Sequence, residues 1–243
     1  MQTVAFFQLT IYENRKFVKP IFCSIDSVIT DKFVLGMGIN MEKNKIIFAT
    51  SNAGKMKEVR MIMQDLGLEI LSLKEAGIET EIEENGETFE ENALIKATTI
   101  GKLTNTLVLA DDSGLEVDYM NRRPGVYSAR FMGEDTPYSV KNQAIIQELE
   151  NAHGEERSAR FVCVIAAYLP DGRTITTRGT IEGQIGYEEK GTNGFGYDPI
   201  LYVPEYDMTT GQMDLELKNQ ISHRGKALEA MKQKLKEELK KSL

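Results

Sequence analysis

Two adjacent aspartates, Asp111 and Asp112, follow an apolar run at residues 107–110 and precede Ser113 and Gly114. The run has the pattern of a buried strand, and a buried strand should not end in two carboxylates unless they meet water, a metal ion or a donor. Open α/β sheets build their sites at the carboxyl ends of strands. We expect one aspartate to hold magnesium or orient water while the other supports it. Repulsion between the pair would raise one pKa, which suits a general base. A helix-capping aspartate is the alternative.

A second candidate is a six-residue turn between a predicted strand and a predicted helix. It consists of Thr50, Ser51, Asn52, Ala53, Gly54 and Lys55. Backbone N–H groups at a helix start, the helix dipole and a lysine together favour an anion. The turn is not a Walker P-loop, because the first glycine is absent and Met56 replaces the magnesium-binding hydroxyl. A plain turn with a solvated lysine is the alternative.

An acidic loop forms the third candidate, with Glu81, Glu83, Glu84 and Glu87 around an Asn-Gly pair. Carboxylates grouped on a turn suit a hard cation such as Mg²⁺. A solvated acidic loop is the alternative interpretation. Downstream, Asn92 and Lys96 are four residues apart, so they share one face of the following helix.

The fourth candidate combines a glycine-rich segment at residues 191–199 with a Ser-His-Arg-Gly segment at residues 222–225. Glycines allow the backbone to approach a ligand, and Phe195 and Tyr197 offer stacking faces. His223 and Arg224 could donate hydrogen bonds to a base or a phosphate. The alternative is that His223 belongs to the start of the last helix.

Strand and helix patterns alternate around these candidates from residue 46 to the C-terminus. Predicted strands cover residues 46–49, 69–73, 107–110, 158–169 and 174–185, and the last two are joined by a turn at 170–172. Predicted helices include one capped by Thr88 and Glu91, one begun by Thr136 and Pro137, and a C-terminal one with Leu228, Met231, Leu235 and Leu239 on one face. The pattern predicts an α/β fold with a mixed sheet.

Composition narrows the functional classes. The 243 residues carry a formal charge of −8, which disfavours general binding to nucleic acid or to an anionic membrane. Cys23 and Cys163 lie far apart and fit no zinc spacing, so we expect reduced thiols in a cytoplasmic protein. No apolar run approaches the length of a transmembrane helix, so we expect no membrane span. Residues 1–40 carry no chemistry that we can name. We interpret them as an N-terminal extension, arising from a start codon placed too early, with the working domain at residues 41–243.

The chain resembles the inosine/xanthosine triphosphate pyrophosphatase family, also called Ham1-like, in six segments that keep the same order. They are FATSNAGK (48–55), EENGETFEENALIKA (83–97), ADDSGL (110–115), PGVYSAR (124–130), GFGYDP (194–199) and ISHRG (221–225). The resemblance covers about residues 45–235. It implies a two-lobed mixed β-sheet flanked by helices, with an active-site cleft between the lobes, and a homodimer. It also implies magnesium-dependent hydrolysis of aberrant purine nucleoside triphosphates such as ITP, dITP and XTP to the monophosphate and pyrophosphate.

The resemblance also implies roles for individual residues. Residues 50–55 would bind the triphosphate, with Lys55 as a catalytic residue; Asp112 would be the proton acceptor and a metal ligand; and Glu84, or else Glu83, would be the other metal ligand. Ser113 would touch the substrate and Lys96 would add positive charge near the phosphates. The remaining substrate-binding residues, which would close over the base and sugar, would be Phe195, Gly196, Tyr197, Asp198, Lys218, His223 and Arg224.

Other functions are compatible with parts of this pattern. A Maf-like pyrophosphatase for other nucleotides would share the anion turn and the acidic site but would not need Ser222, His223 and Arg224. A non-catalytic nucleotide sensor would bind a triphosphate with magnesium and release no pyrophosphate. Three carboxylate positions around a lysine-bearing turn exceed what binding requires, so we favour the enzyme.

Overall fold

The computed structural model describes residues 45–241, with side chains through Glu238. The interpretation of residues 1–40 as an extension, together with Cys23, lies outside the described residues, as does the side chain of Leu239. No helix within residues 45–241 is long and apolar enough to cross a membrane.

An eight-stranded mixed sheet organises the described chain. Its strands are β1 (Lys45–Phe48), β2 (Glu69–Ser72), β3 (Val108–Val117), β4 (Arg123–Pro124), β5 (Ser158–Tyr168), β6 (Thr174–Ile185), β7 (Leu201–Val203) and β8 (Met208–Thr209). The order is β2-β1-β3-β5-β6-β7-β8, with β4 paired to β3. β1 is parallel to β2 and β3, whereas the other pairs are antiparallel. The predicted α/β fold with a mixed sheet is confirmed.

Within residues 45–241, five α-helices cover the sheet: α1 (Ala53–Met63), α2 (Phe89–Thr104), α3 (Tyr138–Glu148), α4 (Leu215–Ile221) and α5 (His223–Lys241). Apolar residues of α1 and α5 pack with Leu109 on one face of the sheet, and α2 packs with Ala110 on the other. The predicted capping box at Thr88 and Glu91 is present at the start of α2. This cap fixes where α2 begins, directly after the acidic loop.

A third apolar cluster lies at the other end of the long strands β3, β5 and β6. It includes Leu115, Phe161 and Ile181 of these strands and Ile145 of α3. The two halves of the molecule therefore have their own apolar clusters but share one continuous sheet. Loops at the junction of the halves line the cleft described below.

Two predicted boundaries are wrong. The strand that leads to the two aspartates does not end at residue 110, because β3 continues to Val117 and pairs with β5 over its whole length. The helix predicted to be capped by Thr136 begins at Tyr138 instead. The Thr136 hydroxyl donates 2.8 Å to the carbonyl of Met132, so it closes the preceding turn and is not available to cap the helix.

Candidate active site

The turn before α1 is arranged as a helix-start anion site. Asn52 is the N-cap, and its side-chain oxygen accepts from the backbone N–H of Lys55 at 3.1 Å. The Thr50 hydroxyl accepts from the backbone N–H of Asn52 at 3.2 Å. Ser51, Asn52 and Ala53 remain exposed. The first turn of α1 therefore presents backbone donors and the positive end of the helix dipole to solvent.

β3 sends Asp111 and Asp112 to opposite faces of the sheet, because successive side chains of a strand alternate. Asp111 faces α1 and α5, where its Oδ2 lies 3.0 Å from Lys55 Nζ and 3.2 Å from the Arg224 guanidinium. Asp112 faces α2, where Asn92 Nδ2 donates to it at 3.2 Å. The two carboxylates thus do not form the side-by-side pair that their adjacency in the sequence predicts.

Opposite environments give the two aspartates opposite pKa shifts. Burial alone would raise the pKa of Asp111, but the charges of Lys55, Arg224 and Lys96 outweigh burial and hold that pKa well below its usual range. Burial raises the pKa of Asp112, and the nearby cations do not offset it fully. The pKa of Asp112 rises as predicted, but the charge of Asp111 is the smallest of its named causes.

Lys96 joins the acidic loop to Asp112. Its Nζ lies 2.7 Å from Glu84 Oε2 and 3.5 Å from Asp112 Oδ1, so both carboxylates face one ammonium group. Burial would lower the pKa of Lys96, but the charges of Asp112, Asp111 and Glu84 raise it. Glu83 is exposed, whereas Glu84 is partly buried. This placement favours Glu84 over Glu83 as the carboxylate that works with Asp112.

Asn92 is the residue that holds the acidic loop against the sheet. It is fully buried on α2, and its Oδ1 accepts from the backbone N–H of Gly86 at 2.8 Å while its Nδ2 reaches Asp112. A Cβ at Gly86 would lie 2.7 Å from Asn92 Oδ1, so glycine is required for this approach. One amide therefore contacts both the acidic loop and the Asp112 carboxylate.

A buried ion network lies on the other face, between α1, α4 and α5. Glu58 pairs with Arg224 and, at 2.9 Å, with Lys218. Lys218 also lies 2.6 Å from Asp198 Oδ2. These four side chains are at most 4% exposed, so Lys218 and Asp198 bind each other rather than standing free for a ligand. Glu58 was missed by the sequence analysis, although it follows Lys55 by three residues on the same helix face.

The aromatic end of the site differs from its expected form. Tyr197 is buried, and its hydroxyl donates a hydrogen bond of 2.7 Å to the carbonyl of Ser128. Its ring therefore forms part of the cavity wall and is not exposed for stacking on a base. The Phe195 ring has Lys218 Nζ at 5.1 Å and the Arg224 guanidinium at 5.7 Å. Ser128 and Tyr138 also lie here. Of these two, only Ser128 falls in a segment, residues 124–130, that the sequence analysis had singled out.

A cavity of about 470 Å³ brings these groups together. The predicted residues that line it are Thr50, Ser51, Asn52, Lys55, Glu84, Lys96, Ser113, Phe195, Gly196, Tyr197, Asp198, Lys218, His223 and Arg224. Ala53, Gly54 and Asp112 are not among its lining residues. Gly54 still contacts the site, because a Cβ there would lie 2.8 Å from the Phe195 ring. Asp112 lies behind Lys96 and is 7% exposed.

The donor set fits a hard cation only in part. Within residues 45–241 no three His, Cys, Asp or Glu side chains converge closely enough to hold a metal ion by themselves. Glu84 and Asp112 do converge, on Lys96, and carboxylate oxygens are the ligands that Mg²⁺ prefers. Magnesium often takes only one or two protein carboxylates and completes its shell with substrate phosphates and water. The residues present fit that mode of binding.

Fold and site together define a class: an α/β protein whose cleft joins a helix-start anion site to converging carboxylates and an aromatic wall. The chain belongs to the Ham1 family, whose model matches residues 46–234. It is 48% identical over 202 residues to the dITP/XTP pyrophosphatase of Clostridium perfringens, covering 81% of this chain and 99% of that protein. It is 45% identical over 185 residues to the dITP/XTP pyrophosphatase of Bacillus subtilis, covering 76% and 93%.

Solved structures agree with this assignment. The Staphylococcus aureus Ham1 protein matches with a TM-score of 0.72 and 41% identity, over 80% of this chain and 99% of that one. A nucleoside-triphosphatase (dITP/XTP pyrophosphatase) from Mycobacterium abscessus matches with a TM-score of 0.63 and 37% identity, over 77% and 98%. The described fold is therefore that of the family along nearly the whole length of these relatives.

Proposed function

We propose that this chain hydrolyses aberrant purine nucleoside triphosphates, dITP, ITP and XTP among them, to the monophosphate and pyrophosphate. The names of its relatives support the substrate class. The observation that carries the proposal is the convergence of Glu84 and Asp112 on Lys96, beside the helix-start turn that ends in Lys55. An anion site alone would explain binding, whereas a carboxylate with a raised pKa beside it also supplies a proton acceptor.

Charge explains why a cation is part of the proposal. Within the described cleft and its walls, Lys55, Lys96, Lys218 and Arg224 face five carboxylates, those of Glu58, Glu84, Asp111, Asp112 and Asp198. A triphosphate would add several negative charges to a site that has no surplus of positive charge. Glu84 and Asp112 would hold Mg²⁺, which when bound supplies positive charge to the phosphates and the leaving group.

The reaction is a displacement at the α-phosphorus. Asp112 accepts a proton from water, the water oxygen forms a bond to the α-phosphorus, and the bond from that phosphorus to the α–β bridging oxygen breaks. Pyrophosphate leaves with the electron pair of that bond. Lys96 holds Asp112 and Glu84 in place, and the Lys55 side chain, together with the backbone N–H groups of Ser51, Ala53 and Gly54, orients the phosphate chain.

Selection against ATP rests on hydrogen-bond donors at the base. The 6-oxygen of hypoxanthine or xanthine accepts a hydrogen bond, whereas the amino group of adenine donates one. Arg224 Nε, a donor, and His223 Nδ1 are buried without a hydrogen-bond partner among residues 45–241, and both side chains line the cavity. An adenine placed against such a donor would leave polar groups unpaired, at a cost of about 1–3 kcal/mol each.

A pyrophosphate-release screen tests the proposal. The full chain is assayed with ITP, dITP, XTP, ATP, dTTP and UTP, with and without Mg²⁺. Release from the three aberrant purines, and only with the metal, supports it. Preference for dTTP or UTP would indicate the Maf-like alternative, and nucleotide binding without release would indicate a sensor.

We further propose that the enzyme works as a cytoplasmic homodimer and that residues 41–243 are its catalytic domain. A free, buried thiol at Cys163 is consistent with a reducing compartment, and the family match begins at residue 46. Light scattering over a range of concentrations tests dimerisation. A chain that starts at Met41 tests the domain boundary, and loss of folding or activity would contradict it.

A further inference from the structure

Helix α3 contributes an aromatic side chain to the cavity that none of the sequence motifs includes. Tyr138, the first residue of α3, lines the cavity and is 39% exposed. Its ring meets that of Tyr197 edge to face, with centroids 5.2 Å apart and planes at 88°. Since Tyr197 is buried and Phe195 is flanked by two cationic groups, Tyr138 offers the most accessible aromatic surface of the three.

Two buried polar residues of the same helix hold this part of the site. Lys141 is fully buried, its Nζ donates 2.7 Å to the carbonyl of Ala129, and the same nitrogen lies 4.9 Å from the centre of the Tyr138 ring. Asn142 is 1% exposed, and its Nδ2 donates to Glu189 Oε1 at 2.6 Å and to the carbonyl of Gly196 at 3.4 Å.

These contacts connect both walls of the aromatic end to α3. Ala129 belongs to the wall that follows β4, and Gly196 belongs to the glycine-rich wall that carries Phe195. A buried lysine ammonium is costly unless it is hydrogen-bonded. Lys141 meets this requirement with the carbonyl of Ala129 and the ring of Tyr138, so its charge fixes the positions of these two groups relative to each other. The start of α3 is therefore hydrogen-bonded to both walls of the cleft at this end.

We propose that Tyr138 is a nucleobase-contacting residue and that Lys141 is the positioning residue that holds it. Tyr138 lines the same cavity as the phosphate turn, and a Cβ at Gly196 of the glycine-rich wall would lie 3.6 Å from its ring, so a nucleotide with its phosphates at the turn has this ring within the cavity that its base must occupy. A purine is flat, and stacking on an aromatic side chain is worth about 1–3 kcal/mol per base. This inference rests on the proposed function for the orientation of the nucleotide.

The test compares ligands with and without a base. For Tyr138→Ala we expect the KM for XTP and the Kd for inosine monophosphate, measured by calorimetry, to rise about 5- to 150-fold. The inhibition constant of inorganic tripolyphosphate, a ligand without a base, measured against XTP hydrolysis, stays within about twofold. Tyr138→Phe keeps the ring and should stay near the wild type. Tyr119→Ala, at an exposed tyrosine outside the cavity, is the matched control and should change neither constant.

Lys141 is tested by rescue. Lys141→Met should raise the same two base-dependent constants without affecting tripolyphosphate, and Lys141→Arg should restore them in part, because arginine keeps a cation over the ring. Equal losses on XTP and tripolyphosphate, or an unchanged Kd in Tyr138→Ala, would overturn the inference while leaving the proposed function intact. If the wild type neither hydrolyses nor binds these nucleotides, the proposed function fails and the inference fails with it.

Discussion

Asp111→Asn and Asp112→Asn should have different effects on stability, although the two aspartates are adjacent in the sequence. Asp111 is fully buried, and its pKa is held low by Lys55 and Arg224 against the effect of burial. The folded state therefore favours its charged form, and Asp111→Asn leaves the Arg224 guanidinium short of a partner. Removing one member of a buried ion pair typically costs about 3–5 kcal/mol. We expect a loss near the lower end, about 3 kcal/mol, because Glu58 still pairs with Arg224.

Asp112→Asn should behave in the opposite way. Its pKa is raised, so the folded state disfavours its charged form at neutral pH, and an amide of the same shape relieves that cost. We expect a change in the free energy of unfolding within about 1 kcal/mol, in the stabilising direction. Pyrophosphate release should nevertheless fall by about 10²- to 10⁴-fold, because the proton acceptor is lost.

Urea and thermal unfolding of the full chain at pH 7.5 measure the difference. A loss of about 3 kcal/mol corresponds to a fall in Tm of about 6–12 °C for a domain of this size. Asp135→Asn, at an exposed position, is the control and should shift stability by less than about 0.5 kcal/mol. Equal destabilisation by the two buried substitutions, or a larger loss for Asp112→Asn, would refute the assignment of opposite environments.

Three further results are expected. The pKa of buried His223 lies well below 6.5, so the unfolded chain binds the extra proton first, and stability is lost as pH falls below 6.5. Between pH 7.5 and 5.5 the wild type should lose about 1.4 kcal/mol more than His223→Asn, and parallel urea curves would contradict this. Gly101→Ala should destabilise by about 2 kcal/mol or more, since its Cβ would lie 2.1 Å from the Tyr168 ring; an unchanged Tm would show that Tyr168 can move aside. Chelation should abolish pyrophosphate release until Mg²⁺ is restored, and full activity in the chelator would remove the metal from the proposal.

Local signals in the sequence were sufficient for most elements of the fold. The Thr88 and Glu91 capping box, the turn at residues 170–172 and the apolar face of α5 at Leu228, Met231 and Leu235 depend on neighbours a few residues away, and all three are present. The start of α3 was misplaced because the Thr136 hydroxyl bonds to Met132, a competing local contact that the Thr-Pro pattern does not reveal.

The residues of the cleft could also be predicted, because the six motifs occur in the family's order and their side chains have the chemistry that a phosphate and metal site needs. Fourteen of the predicted residues line one cavity. Spacing alone could not assign their partners. Glu58 contacts Lys218 and Arg224, which lie 160 and 166 residues away in the chain, so only packing of α1 against α4 and α5 brings them together.

The sequence by itself determined the residue types of the site, the α/β pattern and the family. Only the tertiary structure decided that Asp111 and Asp112 face opposite sides of the sheet. That outcome depends on β3 continuing past residue 110, which β5 imposes by pairing with it from Val108 to Val117. A strand alternates its side chains, so one long-range pairing gave two adjacent carboxylates different partners and opposite pKa shifts.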